Sequence, residues 1–199
     1  MHGLINRAFQ GFVTSTFGED LWDEVRDQAD LPIDDFESMT YYDDALTVAV
    51  FNTTTQLLHR PSASLLEDMG TFLVTHPPLD PLRRLLRFGG STFPEFIWSL
   101  EELRDRGRLV MPDLDIPKIA VAQLDKRTFR LSAQWQLPGI SAILLGGLRA
   151  MADDYGTLAI LSLDGREEAD GIGTEFLKVE LLDVQHAEGR SFQLGEVLA

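Results

Sequence analysis

Leu4, Ile5, Ala8, Phe9, Phe12 and Val13 recur at three- and four-residue intervals, which predicts an amphipathic helix over residues 2–16 with Gly18 as its stop. Leu21, Trp22 and Val25 share one face of a second helix over 19–28, and its acidic first turn suits a helix N-terminus. Residues 30–42 lack a period and predict a loop or short strand. Helical spacing returns over 44–58, despite many β-branched residues, and again over 62–75 after Pro61. Ser64 and Glu67 carry the spacing of a capping box there. His76-Pro77-Pro78 breaks the pattern, a short basic helix follows over 79–87, and Gly89 and Gly90 end it. Thr92 and Glu95 form a second capping-box pair, opening a helix that runs to about Arg106.

Beyond Pro117 the period changes. Residues 117–124 and 128–135 predict a hairpin, Pro138 to Tyr155 a helix stopped by Gly156, and 157–163 and 174–183 two more strands. The polar stretch DGREEADGIG reads as their connector, and the last dozen residues contain little that must fold. Helices first, then a small antiparallel sheet interrupted by one helix, is an α+β layout. We expect one domain over 1–183, with an N-terminal helical lobe (1–60), a C-terminal α+β lobe (61–183) and a tail (184–199).

Composition narrows the chemistry. The 199 residues carry a net charge of −15, which opposes binding to nucleic acid or to an anionic membrane surface. No apolar run approaches a membrane span, and MHGLINRAFQGF does not read as a signal peptide. The absence of cysteine excludes disulfides and thiolate sites and points to the cytoplasm. There is no Gly-x-Ser-x-Gly elbow, phosphate loop or dinucleotide fingerprint, so the expectation is a protein that is not an enzyme.

The opening MHGLIN, then FGEDLWDEV at 17–25 and YYDD at 41–44, resemble the N-terminal lobe of the H-NOX (heme-nitric oxide/oxygen binding) family, which includes the heme domain of soluble guanylate cyclase. The stretch LRRLLRFGGSTFPEFIWSLEELRDRG at 82–107 resembles the segment carrying that family's proximal helix. Pro117 stands where the family packs a proline against the porphyrin. The resemblance covers about residues 1–183. It implies about seven helices, a four-stranded antiparallel sheet and a heme b pocket between the lobes. It also implies a sensory role, exercised on a histidine kinase or a cyclic-dinucleotide enzyme.

Two departures stand out. The family's iron ligand is a histidine in the proximal helix, and SLEELRDRG puts Arg104 at that place. The family's propionate-binding Tyr-x-Ser-x-Arg motif matches Arg130-Leu131-Ser132-Ala133-Gln134, where only Ser132 survives. A guanidinium keeps its proton and offers iron no lone pair. Gln134 lacks the charge and the paired donors that grip a propionate. The expectation is therefore a heme-free sensory or regulatory domain that binds an apolar ligand or a signalling protein. The alternatives are a heme-dependent gas sensor with a non-standard or absent protein ligand, His76 being the one replacement in place, and a structural interaction protein whose pocket has collapsed.

Residue by residue, Ile97, Leu100 and Arg104 fall within about 60° of one another on a helix, so Arg104 leaves the buried face. It either pairs with a nearby carboxylate or stands on a pocket wall, where it would favour a fatty-acid-like ligand. Arg130, Ser132 and Gln134 share one face of a strand, as either a solvated patch or a polar pocket edge. Leu4, Ile5, Phe9, Val74, Ile140 and Leu144, with Leu100, fall where the family lines its heme pocket. The four histidines have no metal-site spacing.

Overall fold

The computed structural model describes residues 1–169 and 172–190. Four helices come first: α1 (Gly3–Phe17), α2 (Glu19–Gln28), α3 (Asp44–Leu58) and α4 (Ser62–Thr75). A short α5 (Asp80–Arg87) follows, then α6 (Phe93–Ser99), a 3-10 turn (Leu100–Glu102) and α7 (Leu103–Val110). These last three pieces run without a break as one interrupted helix, so the described residues hold seven helices with α8 (Ile140–Tyr155). The strands β1 (Lys118–Gln123), β2 (Thr128–Gln134), β3 (Leu158–Ala169) and β4 (Ile172–Asp183) form one antiparallel sheet in the order β1-β2-β4-β3. This is the α+β architecture that the change of period at Pro117 predicts.

Apolar residues form two clusters. The first gathers Phe9, Phe12, Val13, Trp22 and Phe36 with Leu65 and Met69 of α4. The second packs Phe93, Phe96, Ile97 and Leu100 against α8 and the inner face of the sheet. Phe129, Leu131, Leu177 and Val179 supply that inner face, in strict alternation with residues turned to solvent. Helix α4 serves both clusters, because Val74 belongs to the second.

The junction of the clusters is a close crossing of α4 and α8. A Cβ at Gly70 would overlap the carbonyl oxygen of Ile143, and one at Gly146 would overlap that of Glu67. Only glycine lets the two backbones come this close. Nearby, Asp154 of α8 is buried, takes a 2.8 Å hydrogen bond from Arg83, and lies 3.4 Å from Arg87. Asp80 also accepts hydrogen bonds from Arg83 and Arg84.

The structure corrects two local expectations. The Thr92–Glu95 capping box forms, but the Ser64–Glu67 one does not. Ser64 accepts instead from Arg60, and Glu67 pairs with Arg149 of α8. Helix α4 begins at Ser62 with Pro61 at its cap, so Ser64 stands in the first turn rather than at the cap position. The stretch expected as a connector is largely strand, with Arg166 opposite Glu175 and Glu167 opposite Thr174. Backbone pairing needs no apolar side chain, so an arm exposed on both faces shows no alternation. Residues 30–42 are irregular apart from one bridge, His2 to Tyr41. Residues 187–190 bond back to the end of α8, through Ala187 N–H to Gly156 O and Arg190 N–H to Asp154 O. The rest of the expected tail, 191–199, lies outside the described residues.

Replacing Gly70 with valine should force α4 and α8 apart and destabilise the protein by about 2 kcal/mol or more, read as a lowered midpoint in urea. An unchanged midpoint would mean that the crossing is not close in solution. A second expectation concerns pH. Hydrogen bonds from Arg83 and Arg84 hold the Asp80 carboxyl below its ordinary range. With the folded-state pKa below the unfolded one, this contribution is present above the ordinary carboxylate range and is lost as pH falls through the folded value. Asp80→Asn should therefore be less stable than the parent near pH 7, with the difference shrinking as pH falls below the ordinary carboxylate range. Paired urea titrations would check this.

Candidate functional site

Among the described residues, three open cavities hold most of the pocket positions expected from the sequence. A large apolar cavity of about 590 Å³ lies between α1, α3 and α4 on one side and the start of α8 on the other. A smaller apolar cavity of about 380 Å³ lies between α4, α8 and the α6–α7 helix. A polar cavity, also about 380 Å³, lies between α7, the end of β2 and the β3–β4 arm. Ile143, seated against Gly70, lines both apolar cavities and stands as the partition between them.

The residues expected on one pocket wall are shared out among the three. Leu4, Val74, Leu100 and Leu144 line the small apolar cavity. Ile5 and Phe9 line the large one. Arg104, Gln134 and Ile140 line the polar one. Arg130 instead points outward from the sheet, bonded to Asp164 at 2.6 Å and stacked 3.9 Å over the Phe176 ring. Ser132 shares that outer face, its hydroxyl 3.5 Å from Ala120 O. Pro117 leads into β1 and is among none of the lining residues of the three cavities. His76 ends α4 with its ring stacked 4.2 Å from that of Phe72, also off the cavity walls.

Arg104 meets Asp115, with Nη2 3.8 Å from Oδ1. That is an ion pair but too long for a hydrogen bond. Arg104 Nε and Asp115 Oδ2 are buried and have no hydrogen-bond partner. The pairing arises because the loop after α7 brings Asp115 back beneath the helix, where Trp135 Nε1 anchors it by donating to Asp115 O at 3.1 Å. Gln134 donates to Thr174 at 2.9 Å.

Sequence reasoning missed Glu175. It is 7% exposed, and its carboxylate takes the N–H groups of Gly139 and Ser141 at 2.6 and 2.9 Å and the Ser141 hydroxyl at 2.7 Å. A strand residue thus supplies the anion that the N-terminus of α8 favours. No local signal could have found it, since the partners are 36 and 34 residues apart. Arg166 was missed as well. A register shift between Leu163 and Arg166, with Gly165 at φ +92°, turns it onto the walls of both the polar and the large apolar cavity.

This donor set does not suit a heme. Iron takes imidazole, thiolate, thioether or phenolate ligands. Among the described residues the small apolar cavity offers only the thioethers of Met111 and Met151, and Met serves heme iron alongside a histidine. Arg130 is committed to Asp164 on the far face of the sheet. Nor do the described residues contain a cluster of three His, Cys, Asp or Glu able to hold a metal ion. No described helix is long and apolar enough to cross a membrane.

Comparison with known proteins agrees with the fold. Residues 2–160 match the Haem-NO-binding family. The chain is 22% identical over 186 residues to the soluble guanylate cyclase gcy-31 of Caenorhabditis elegans, covering 94% of this chain and 24% of that protein. It therefore spans about a quarter of that relative's length. A Cs H-NOX carrying an unnatural amino acid superposes with a TM-score of 0.77 at 12% identity, over 94% of this chain and 100% of the other. A mutant H-NOX of T. Tengcongensis also gives 0.77 at 12%, over 92% and 99%. An oxygen-binding H-NOX domain related to soluble guanylate cyclases gives 0.69 at 13%, over 96% and 100%.

Glu175→Ala should leave two N–H groups and a hydroxyl unmet at the head of α8. The expected cost is about 3 kcal/mol in urea unfolding, with Glu175→Gln losing roughly half as much. Equal stability of all three proteins would remove Glu175 from its capping role.

Proposed function

The chain belongs to the Haem-NO-binding family, and from that premise we propose that it is a heme-free sensory or regulatory domain of the H-NOX type, acting in signal transduction. It responds to an apolar ligand or to a signalling protein partner. The observation that carries this reading is Arg104. By the sequence resemblance it takes the place of the family's iron-binding histidine, and it is paired with Asp115. Breaking that pair to admit an iron porphyrin would strand a half-buried carboxylate, which is costly. Support also comes from the apolar walls of the two cavities, which a small molecule can use without a metal ligand.

Signal output follows from the architecture. The α4–α8 crossing joins the two hydrophobic clusters, so a ligand that shifts one shifts the other. Close-packed interfaces rearrange between discrete states rather than deform smoothly. A separate histidine kinase, a cyclic-dinucleotide enzyme or a cyclase domain in the same polypeptide would read that shift. Acidity of −15 favours a basic docking surface on that partner.

Production in cells supplied with a heme precursor, followed by hemin titration in vitro, tests the heme-free reading. The expected result is no Soret band after gel filtration. A stoichiometric, persistent Soret band would overturn it and favour the gas-sensor alternative. Arg104→His alone should also fail to retain stoichiometric heme, because Gln134 supplies neither the charge nor the paired donors of the family's propionate anchor and Arg130 is held by Asp164.

A further inference from the structure

The polar cavity and the large apolar cavity share a wall made of Trp135, Leu137, Pro138, Arg166 and Glu175. At about 590 Å³ the apolar one is within the usual range for small-molecule sites. Its body is aliphatic and aromatic, with Ile5, Phe9, Phe51 and Leu66 among the walls. Its far end meets the polar cavity at the bulged arm of β3. There Gly173 leaves room for the Arg166 guanidinium, since a Cβ would lie 2.7 Å from Nη2.

The cations at that end are held loosely. Arg104 reaches Asp115 only at 3.8 Å, and Arg166 reaches Glu168 only at 3.9 Å, both beyond hydrogen-bond length. Glu175 has both oxygens engaged at the N-terminus of α8. Among the described residues, Arg104 and Arg166 thus stand on the polar cavity walls with no carboxylate at hydrogen-bond distance, next to the apolar space.

We infer that the two cavities form one bipartite site for an amphipathic organic anion with an elongated apolar body and a single carboxylate head. The body occupies the large cavity, and the head lies between Arg166 and Arg104. A guanidinium fork matches a carboxylate in shape and charge. This inference rests on the proposal that the chain is a ligand-responsive, heme-free domain. It places the ligand beside α1, α3 and the β3–β4 arm rather than in the small cavity, where most of the heme-lining positions of the family fall.

The test is displacement of the fluorescent probe 11-dansylaminoundecanoate by dodecanoate or by 1-dodecanol, below their micellar range. Melting curves serve as a folding control for every variant. Dodecanoate should bind more tightly than the alcohol. Arg166→Gln, at a half-exposed position, should weaken dodecanoate by about tenfold and leave the alcohol unchanged. Ala63→Trp, at the exposed rim of the large cavity, should block both, and Leu144→Phe in the small cavity should block neither. Equal binding of acid and alcohol, no binding by the folded parent, or loss in Leu144→Phe with none in Ala63→Trp would each overturn the inference. A hemin titration on the same samples keeps the two failures apart. A Soret complex sinks the heme-free reading, whereas its absence together with failed displacement sinks only the bipartite site.

Discussion

Gly70 against the Ile143 carbonyl and Gly146 against the Glu67 carbonyl bring α4 and α8 to backbone contact, and the arrangement of everything else follows from that approach. It joins the cluster around Phe12 and Trp22 to the cluster around Phe96 and Val179, because α4 feeds both. It sets Ile143 between the two apolar cavities. It also fixes where α8 begins, and so where Glu175 must reach to meet its first N–H groups. A larger side chain at either glycine would separate the helices and lose dispersion contacts along their whole length.

Charge inside the fold is handled in two ways. Asp154 is buried and met by Arg83 and Arg87, and Glu175 is buried and met by a helix N-terminus. Both arrangements set cations or N–H donors against the carboxylate, which is the condition for keeping an ion away from water, although Asp154 Oδ2 itself makes no hydrogen bond. Arg104 and Arg166 are different. Each is partly exposed, lies on a cavity wall and is held by its carboxylate only at a distance. Groups left so are the ones able to change partner, and a binding site draws on that freedom. The guanidiniums on these walls are thus loosely held, and they lie toward the arm of β3.

The helices over 3–17, 19–28, 44–58 and 140–155, the α+β order and the antiparallel sheet were legible in the chain, because each rests on a local period or a local stop such as Gly18 or Gly156. Arg104 was legible only as a cation in that helix, because the 3-10 turn at Leu100–Glu102 breaks the 100° rotation and sets Arg104 on the polar cavity while Leu100 lines the apolar one. The sequence by itself could not say that Asp115 would be its partner, that Ser64 and Glu67 would abandon a cap for Arg60 and Arg149, or that a polar stretch would extend β3 and β4. Those outcomes depend on which groups meet after the chain closes on itself. The same holds for the cavities: Leu4, Ile5 and Ile140 are apolar by identity, but the wall each one lines was decided by the α4–α8 crossing. Periodicity is a property of neighbours along the chain, whereas a cavity is the volume left between elements distant in sequence, and only tertiary packing determines that volume.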